Sequence, residues 1–208
     1  MSDTKIKICG LRRPEDVICV NQVKPDYIGF IFAEGRKRTI TPQQASALRT
    51  HLNPGIQTVG VFLDQSLQFI EDAARCSGID LIQLHGHEID DFVTQVKKQT
   101  RLPVIRAFSI ADRSDIAAAC RSSADYILLD NHLPGSGECF DWSLLKQIDR
   151  PYFLAGGLAP SNIADALTLQ PFAVDVSSGV ETGGYKDPQK IEEFAAIVRS
   201  YRKENIHE

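Results

Sequence analysis

The chain of 208 residues contains a single Met and a single Trp, and no apolar run long enough to matter to a membrane. A spanning helix needs about 18 or more consecutive apolar residues, and no stretch here comes near that. The start, MSDTKIKICG, lacks the basic and then apolar regions of a secretory signal. Missing too are Lys/Arg runs interleaved with aromatics, the footprint of a nucleic-acid groove. The 23 Lys and Arg against 27 Asp and Glu leave a mildly acidic net charge of -4. These absences predict a cytoplasmic protein with no nucleic-acid and no membrane partner, whose natural ligand is a small metabolite.

The five cysteines, Cys9, Cys19, Cys76, Cys120 and Cys139, are odd in number and widely spaced, without a CxxC pair or a histidine cluster beside them. That excludes a disulfide framework and a zinc site. No metal and no cofactor is expected. Cys19, Cys76 and Cys120 fall inside helix-like patterns and read as buried, inert thiols. Cys9 differs, because it ends an alternating apolar run and is followed by glycine. Two readings stand: a small packed hydrophobe, or a thiolate at the mouth of a site. Linkers and low-complexity segments are also lacking, so residues 1–208 are expected to form one domain.

What the chain has in plenty is repetition. Short β-branched runs recur at 5–9, 27–32, 57–63, 81–85, 103–108, 126–130, 152–156 and 173–178. Between them lie amphipathic segments opened by helix-starting signals: Pro14, Thr41-Pro42, Asp64 with Ser66, Glu88, Ser109 to Asp112, Asp141, Pro160-Ser161 and Asp187-Pro188. Strict βα alternation implies parallel strands with crossover helices. With eight units the expected fold is α/β, a single (β/α)₈ TIM barrel. An open doubly wound sheet is the competitor, but the turn after its first strand usually carries GxGxxG, and here it reads Cys9-Gly10-Leu11-Arg12.

Barrel enzymes place their chemistry at the C-terminal strand ends. The polar residues there are Cys9, Arg36 to Arg38, Asp64, Gln83, His85, Arg106, Asp130, Ser136, Ser177 and Ser178. Gly156-Gly157 after the seventh strand and Ser178-Gly179 after the eighth stand where such barrels bind phosphate. Gly135 and Gly137, after the sixth strand, belong to a glycine-rich loop over the same mouth, either a closing loop or an ordinary turn. A phosphorylated small molecule is the expected partner.

The stretches KICGL (7–11), GFIF with RKRTI, VGVF, IQLHG, LLDNHLPGSGECFDW, LAGGLAPSN and DVSSGVETGGYKD together resemble the phosphoribosylanthranilate isomerase family of tryptophan biosynthesis, over essentially the whole chain. The resemblance implies an aldose-ketose isomerase that is cofactor-independent: an Amadori rearrangement that opens a ribosylamine 5-phosphate and passes through an imine and an enolamine. It further implies Cys9 as general base and Asp130 as general acid. For Asp130 to hold a proton its pKa must rise by burial, and Cys9 must be lowered by nearby cations.

By the same resemblance Arg38 clamps the anthranilate carboxylate, although GRKR departs from the commoner form of that loop and a solvated basic turn is the alternative. His85 either contacts substrate or orients Gln83, and Asp175 lies near the substrate or is a buried structural carboxylate. Gly135, Gly137, Gly156, Gly157, Ser178 and Gly179 are assigned to phosphate binding. The alternatives are another phosphosugar barrel enzyme or a non-catalytic phosphate-binding barrel. The first would need metal-binding histidines at several strand ends or an amino-terminal extension, and phosphate binding alone gives no reason for both Cys9 and Asp130. Exposed helix faces leave monomer or homodimer open.

Overall fold

The computed structural model describes residues 4–131 and 141–204. Eight parallel strands close into a barrel in chain order: β1 (Lys5–Cys9), β2 (Tyr27–Ile31), β3 (Gln57–Phe62), β4 (Leu81–Leu84), β5 (Val104–Ile110), β6 (Tyr126–Asn131), β7 (Tyr152–Leu154) and β8 (Ala173–Val176), with β8 pairing back onto β1. The helices α1 (Pro14–Val23), α2 (Pro42–Arg49), α3 (Leu67–Ser77), α4 (Asp90–Thr100), α5 (Arg113–Cys120), α6 (Ile163–Leu167) and α7 (Pro188–Glu204) connect and cover them. The strand periodicity of the sequence is thus matched, with ends moved by one or two residues.

Alternation sorts the side chains into two cores. On β1, Ile6 and Ile8 face outward into a shell shared with Val17 and Val20 of α1 and Phe194 and Val198 of α7. Inside the barrel, Tyr27, Val59, Leu81, Ile105, Leu128 and Phe153 form a separate plug. Phe153 is its hub, with ring centroids 5.5 Å from Tyr27 and 5.7 Å from Tyr126.

Helix starts follow local chemistry. Thr41 accepts a hydrogen bond from the Gln44 amide while the Gln44 side chain returns one from Thr41 N, and Asp112 with Asp115 repeats the device. Three expectations need correction. Glu88 does not open α4; its carboxylate accepts from the amides of Asp64 (2.9 Å) and Gly86 (2.8 Å), and the helix starts at Asp90. Pro160-Ser161 precedes α6, but Asn162 occupies the cap position and ties its loop together through Ala159 N and Gly157 O. After β6, Asp141 caps a 3₁₀ turn, Trp142–Gln147, instead of an α-helix.

One element has no counterpart in the sequence reading. In the loop after β8, β9 (Glu181–Thr182) and β10 (Tyr185–Lys186) form a small antiparallel hairpin. The Gly183-Gly184 pair, both with left-handed backbone, makes its turn.

Candidate active site

The C-terminal strand ends enclose a cavity of about 680 Å³. Cys9, Arg38, His85, Asp130, Asp175 and Ser178 reach it from five different strands or their loops. Gln83, Gly156 and Gly157 line it as well, as does Arg106, which pairs with Asp90 at 2.9 Å. Gly135 and Gly137, with Ser136, lie outside the described residues. Asp64 points elsewhere: its carboxylate accepts from His87 N at 2.5 Å and meets His87 Nδ1 at 2.9 Å, so it organises the β4 loop and does not line the cavity. Of the cysteines expected to be buried, Cys19 is, Cys76 is exposed and Cys120 is partly buried.

Cys9 is 7 % exposed. Its neighbour across the β1–β2 register is Gly29, where a Cβ would stand 2.6 Å from the Cys9 sulfur, so glycine there makes the space the thiol occupies. Gly10 (φ +84) does the same for Arg38, whose Cδ would be 2.5 Å from a Cβ at that position. The Arg38 side chain therefore crosses the end of β1 directly above the thiol's strand. Its Nε and Nη2 each donate to one oxygen of Glu181 at 2.6 Å, which holds the guanidinium pKa up and leaves its Nη1 side free to fork onto a second carboxylate. Arg36 also borders the cavity, but it is exposed and carries no such brace among the described residues.

Further contacts lock this corner. Arg12 donates to Lys37 O and Gly184 O, both at 2.9 Å, and stacks with Arg13 on Tyr185 of the hairpin. Lys186, almost fully buried, donates to Ser177 O at 2.8 Å and to Glu181 at 2.9 Å. Burial works to raise Glu181, but its bonds to Arg38 and Lys186 outweigh this and depress its pKa.

On the opposite side, Asp130 is the penultimate residue of β6 with its side chain 21 % exposed, so the burial expected of it is partial. Its Oδ1 accepts from Asn131 N at 2.8 Å, and its Oδ2 lies 3.4 Å from His85 Nε2. His85 Nδ1 in turn meets Gln83 Nε2 at 2.8 Å. The two roles considered for His85 are therefore compatible: it touches Gln83 and borders the cavity. Gly156 (φ +87) leaves room for this carboxylate, since a Cβ there would be 2.9 Å from Asp130 Oδ1. Gly179 packs against the backbone at Leu158 and lets the loops after β7 and β8 meet.

Asp175 is buried and ion-paired to Lys7, Nζ to Oδ2 2.7 Å. The same carboxylate lines the cavity. Its Oδ1 and the Gln83 Oε1 are buried acceptors with no hydrogen-bond partner among the described residues. Lys7, Glu181 and Lys186 escaped the sequence reading. Lys7 was visible as the residue two before Cys9 in KIKIC and therefore on the same strand face. The hairpin that delivers Glu181 and Lys186 was signalled by Gly-Gly between short runs.

Comparison with known proteins bears on this geometry. The family model described as N-(5'phosphoribosyl)anthranilate (PRA) isomerase matches residues 6–196. A protein of Endomicrobium trichonymphae named N-(5'-phosphoribosyl)anthranilate isomerase is 46% identical over 201 residues, covering 94% of this chain and 98% of its own. Among solved structures, the phosphoribosyl anthranilate isomerase of Thermotoga maritima superposes with a TM-score of 0.88 at 35% identity, covering 95% of this chain and 99% of that one. Another phosphoribosyl anthranilate isomerase structure, in complex with reduced 1-(o-carboxyphenylamino)-1-deoxyribulose 5-phosphate, superposes at 0.85 with 34% identity, with coverage of 95% and 99%.

Proposed function

The chain belongs to the N-(5'-phosphoribosyl)anthranilate isomerase family, and with isomerisation of that substrate as its activity we propose that Cys9 is the general base and Asp130 the general acid of the Amadori rearrangement. The observation that carries this assignment is that a thiol on β1 and a carboxyl on β6 face one cavity from non-adjacent strands. An acid and a base must reach different atoms of one substrate.

The Asp130 carboxyl gives its proton to the ring oxygen as the bond from that oxygen to C1 breaks, and the anilino nitrogen supplies the electron pair that forms the C1=N iminium. The Cys9 thiolate then takes the proton from C2. That C–H pair becomes the C1=C2 bond of the enolamine, and the nitrogen recovers its own pair. Conversion to the ketone adds a proton at C1 and removes one from the C2 hydroxyl, so the proton given by Asp130 and the proton taken by Cys9 balance.

The remaining residues bind and orient. The unused side of the Arg38 guanidinium takes the anthranilate carboxylate, and Glu181 fixes it in place for that purpose. Asp175 Oδ1 and Gln83 Oε1 accept from sugar hydroxyls, which satisfies two acceptors otherwise left bare. The phosphate lies over Gly156, Gly157, Ser178 and Gly179, with Gly135 and Gly137 contributing from the loop after β6. The reaction draws on no metal or cofactor.

The protein works as one domain over residues 1–208, cytoplasmic, as a monomer or homodimer; among the described residues no helix is long and apolar enough to cross a membrane. The test is the decay of anthranilate-type fluorescence when the purified protein meets freshly generated phosphoribosylanthranilate, without added metal. Rapid decay for the wild type and none above background for Cys9→Ala or Asp130→Ala is the expected outcome. Undiminished decay in either variant would remove that residue from the chemistry.

A further inference from the structure

Lys7 is fully buried, in a barrel interior where a lysine is out of place. It sits two residues before Cys9 on β1, so both side chains project from the same strand face into the barrel. The register pairs Lys7 with Asp175 on β8, and this puts ammonium and carboxylate 2.7 Å apart. Lys7 does not line the cavity, whereas Cys9 and Asp175 both do. Any influence it has on substrate therefore passes through those two.

A buried ion pair is a poor way to stabilise a fold, because well-packed apolar side chains of similar size do as well or better. The layer beneath uses that solution, with Leu81, Leu128 and Phe153. The ammonium at this level has a different use.

We propose that Lys7 is a positioning residue for the Cys9 sulfur: held by Asp175 across the β8–β1 pair, its ammonium stabilises the thiolate that takes the C2 proton. The proposal rests on Cys9 being the base. The charged groups acting on Cys9 are Lys7 on its own strand, Asp175 on β8, Lys186 on β10 and Arg38 from the loop after β2. Gly29 of β2 brings no charge. Lys186 and Arg38 share the one carboxylate of Glu181. Burial prevails and holds the Cys9 thiol above its ordinary value, counter to the lowering expected from the sequence; Lys7 opposes burial more strongly than Lys186 does, and Asp175 adds to the upward push. The opposite signs of the Lys7 and Asp175 effects make the proposal testable by more than loss of activity.

The experiment follows the rate of iodoacetamide alkylation against pH, measured on the Cys9-containing peptide because Cys76 is exposed and reacts in every variant. The acid limb of kcat/KM against pH is recorded beside it, since that limb reports the free base. Lys7→Met should move the alkylation midpoint alkaline by about one pH unit or more, which is tenfold less thiolate at pH values below it, with turnover recovering as pH rises. Asp175→Asn should move the alkylation midpoint the other way.

Should Lys7→Met fail to fold, with Asp175 left as a buried unpaired charge, the charge-balanced Lys7→Met/Asp175→Asn replaces it. Its midpoint should still move alkaline, because the stronger of the two opposed groups has gone. An unmoved midpoint in the lysine variant that folds, or shifts of the same sign in the lysine and aspartate variants, would overturn the proposal. Full turnover in Cys9→Ala would instead overturn the base assignment beneath it, and the alkylation arm needs no turnover to be read.

Discussion

The two halves of the barrel interior are built from the same eight strands and the same alternation, yet they hold opposite chemistry. Toward the N-terminal ends, Tyr27, Val59, Leu81, Leu128 and Phe153 interlock as an apolar plug. Toward the C-terminal ends, the inward positions of the same strands carry Cys9, Gln83, Asp130 and Asp175. On β4 and β6 the change occurs within three residues, from Leu81 to Gln83 and from Leu128 to Asp130. The lower half can be satisfied by shape alone, as close-packed interiors are. The upper half holds charges and unpaired acceptors that water or a ligand must satisfy. Strength and reactivity are thus stacked along one axis, and the plug gives the polar layer a rigid floor.

This division can be broken from either side. The largest effect belongs above: Cys9→Ala or Asp130→Ala should lower turnover by about 10²–10⁴-fold, the usual range for a positioned acid or base, with an unchanged thermal melt. A loss of melting temperature in proportion to the loss of turnover would mean that the two layers are not separable. Next comes the plug. Phe153→Ala opens the hub of the aromatic cluster and should destabilise the fold by about 3–5 kcal/mol in urea titrations, while the fraction still folded turns over at nearly the wild-type rate.

Gly29→Ala stands between the two. It adds one methyl in contact range of the Cys9 sulfur, and displacement of a reacting group by about 1 Å costs on the order of 10²-fold in rate. Steady-state kinetics should show kcat falling more than KM rises.

Glu181→Gln weakens the brace on Arg38 and Lys186, so KM should rise several-fold with a smaller change in kcat. Because the Glu181 pKa is depressed in the folded protein, its carboxylate contributes stability that is complete above the unfolded value, about 4.3, and is lost as pH falls through the folded one. The stability deficit of Glu181→Gln in urea should accordingly be present at pH 7 and vanish in acid below that window. The smallest effect is expected at Asp64→Asn. The His87 pKa, held up by its hydrogen bond to Asp64, should fall back toward the ordinary value in an NMR titration, with turnover within about twofold of wild type, as suits an exposed pair.

Several parts of this molecule could be read without coordinates. Eight β-branched runs separated by capped amphipathic segments determine a closed parallel barrel, because period-2 and period-3.6 patterning is local and survives in the linear sequence. The strand-end positions of Cys9, Gln83, His85, Asp130 and Asp175 follow from the same register, since in a barrel the last inward residue of each strand meets the cavity. Helix starts whose caps lie within three residues, such as Thr41 and Asp112, were legible for that reason. Glu88 and Asn162 were not, because their side chains bind loops that the sequence pattern does not locate.

What only the tertiary structure decided is which groups stand against one another. The Lys7–Asp175 pair spans nearly the whole chain and exists because barrel closure brings β8 beside β1. The Arg38–Glu181–Lys186 brace depends on a hairpin folding back over the first two strands. Gly10 and Gly29 look like ordinary turn or strand glycines in the sequence, and Gly156 reads there as a phosphate-loop glycine, yet all three share a steric reason: each leaves room for a side chain of the site. Periodicity is a property of neighbours in the chain, and it determines the elements. Charge pairing and close approach are properties of neighbours in space, and they are settled only when the barrel closes.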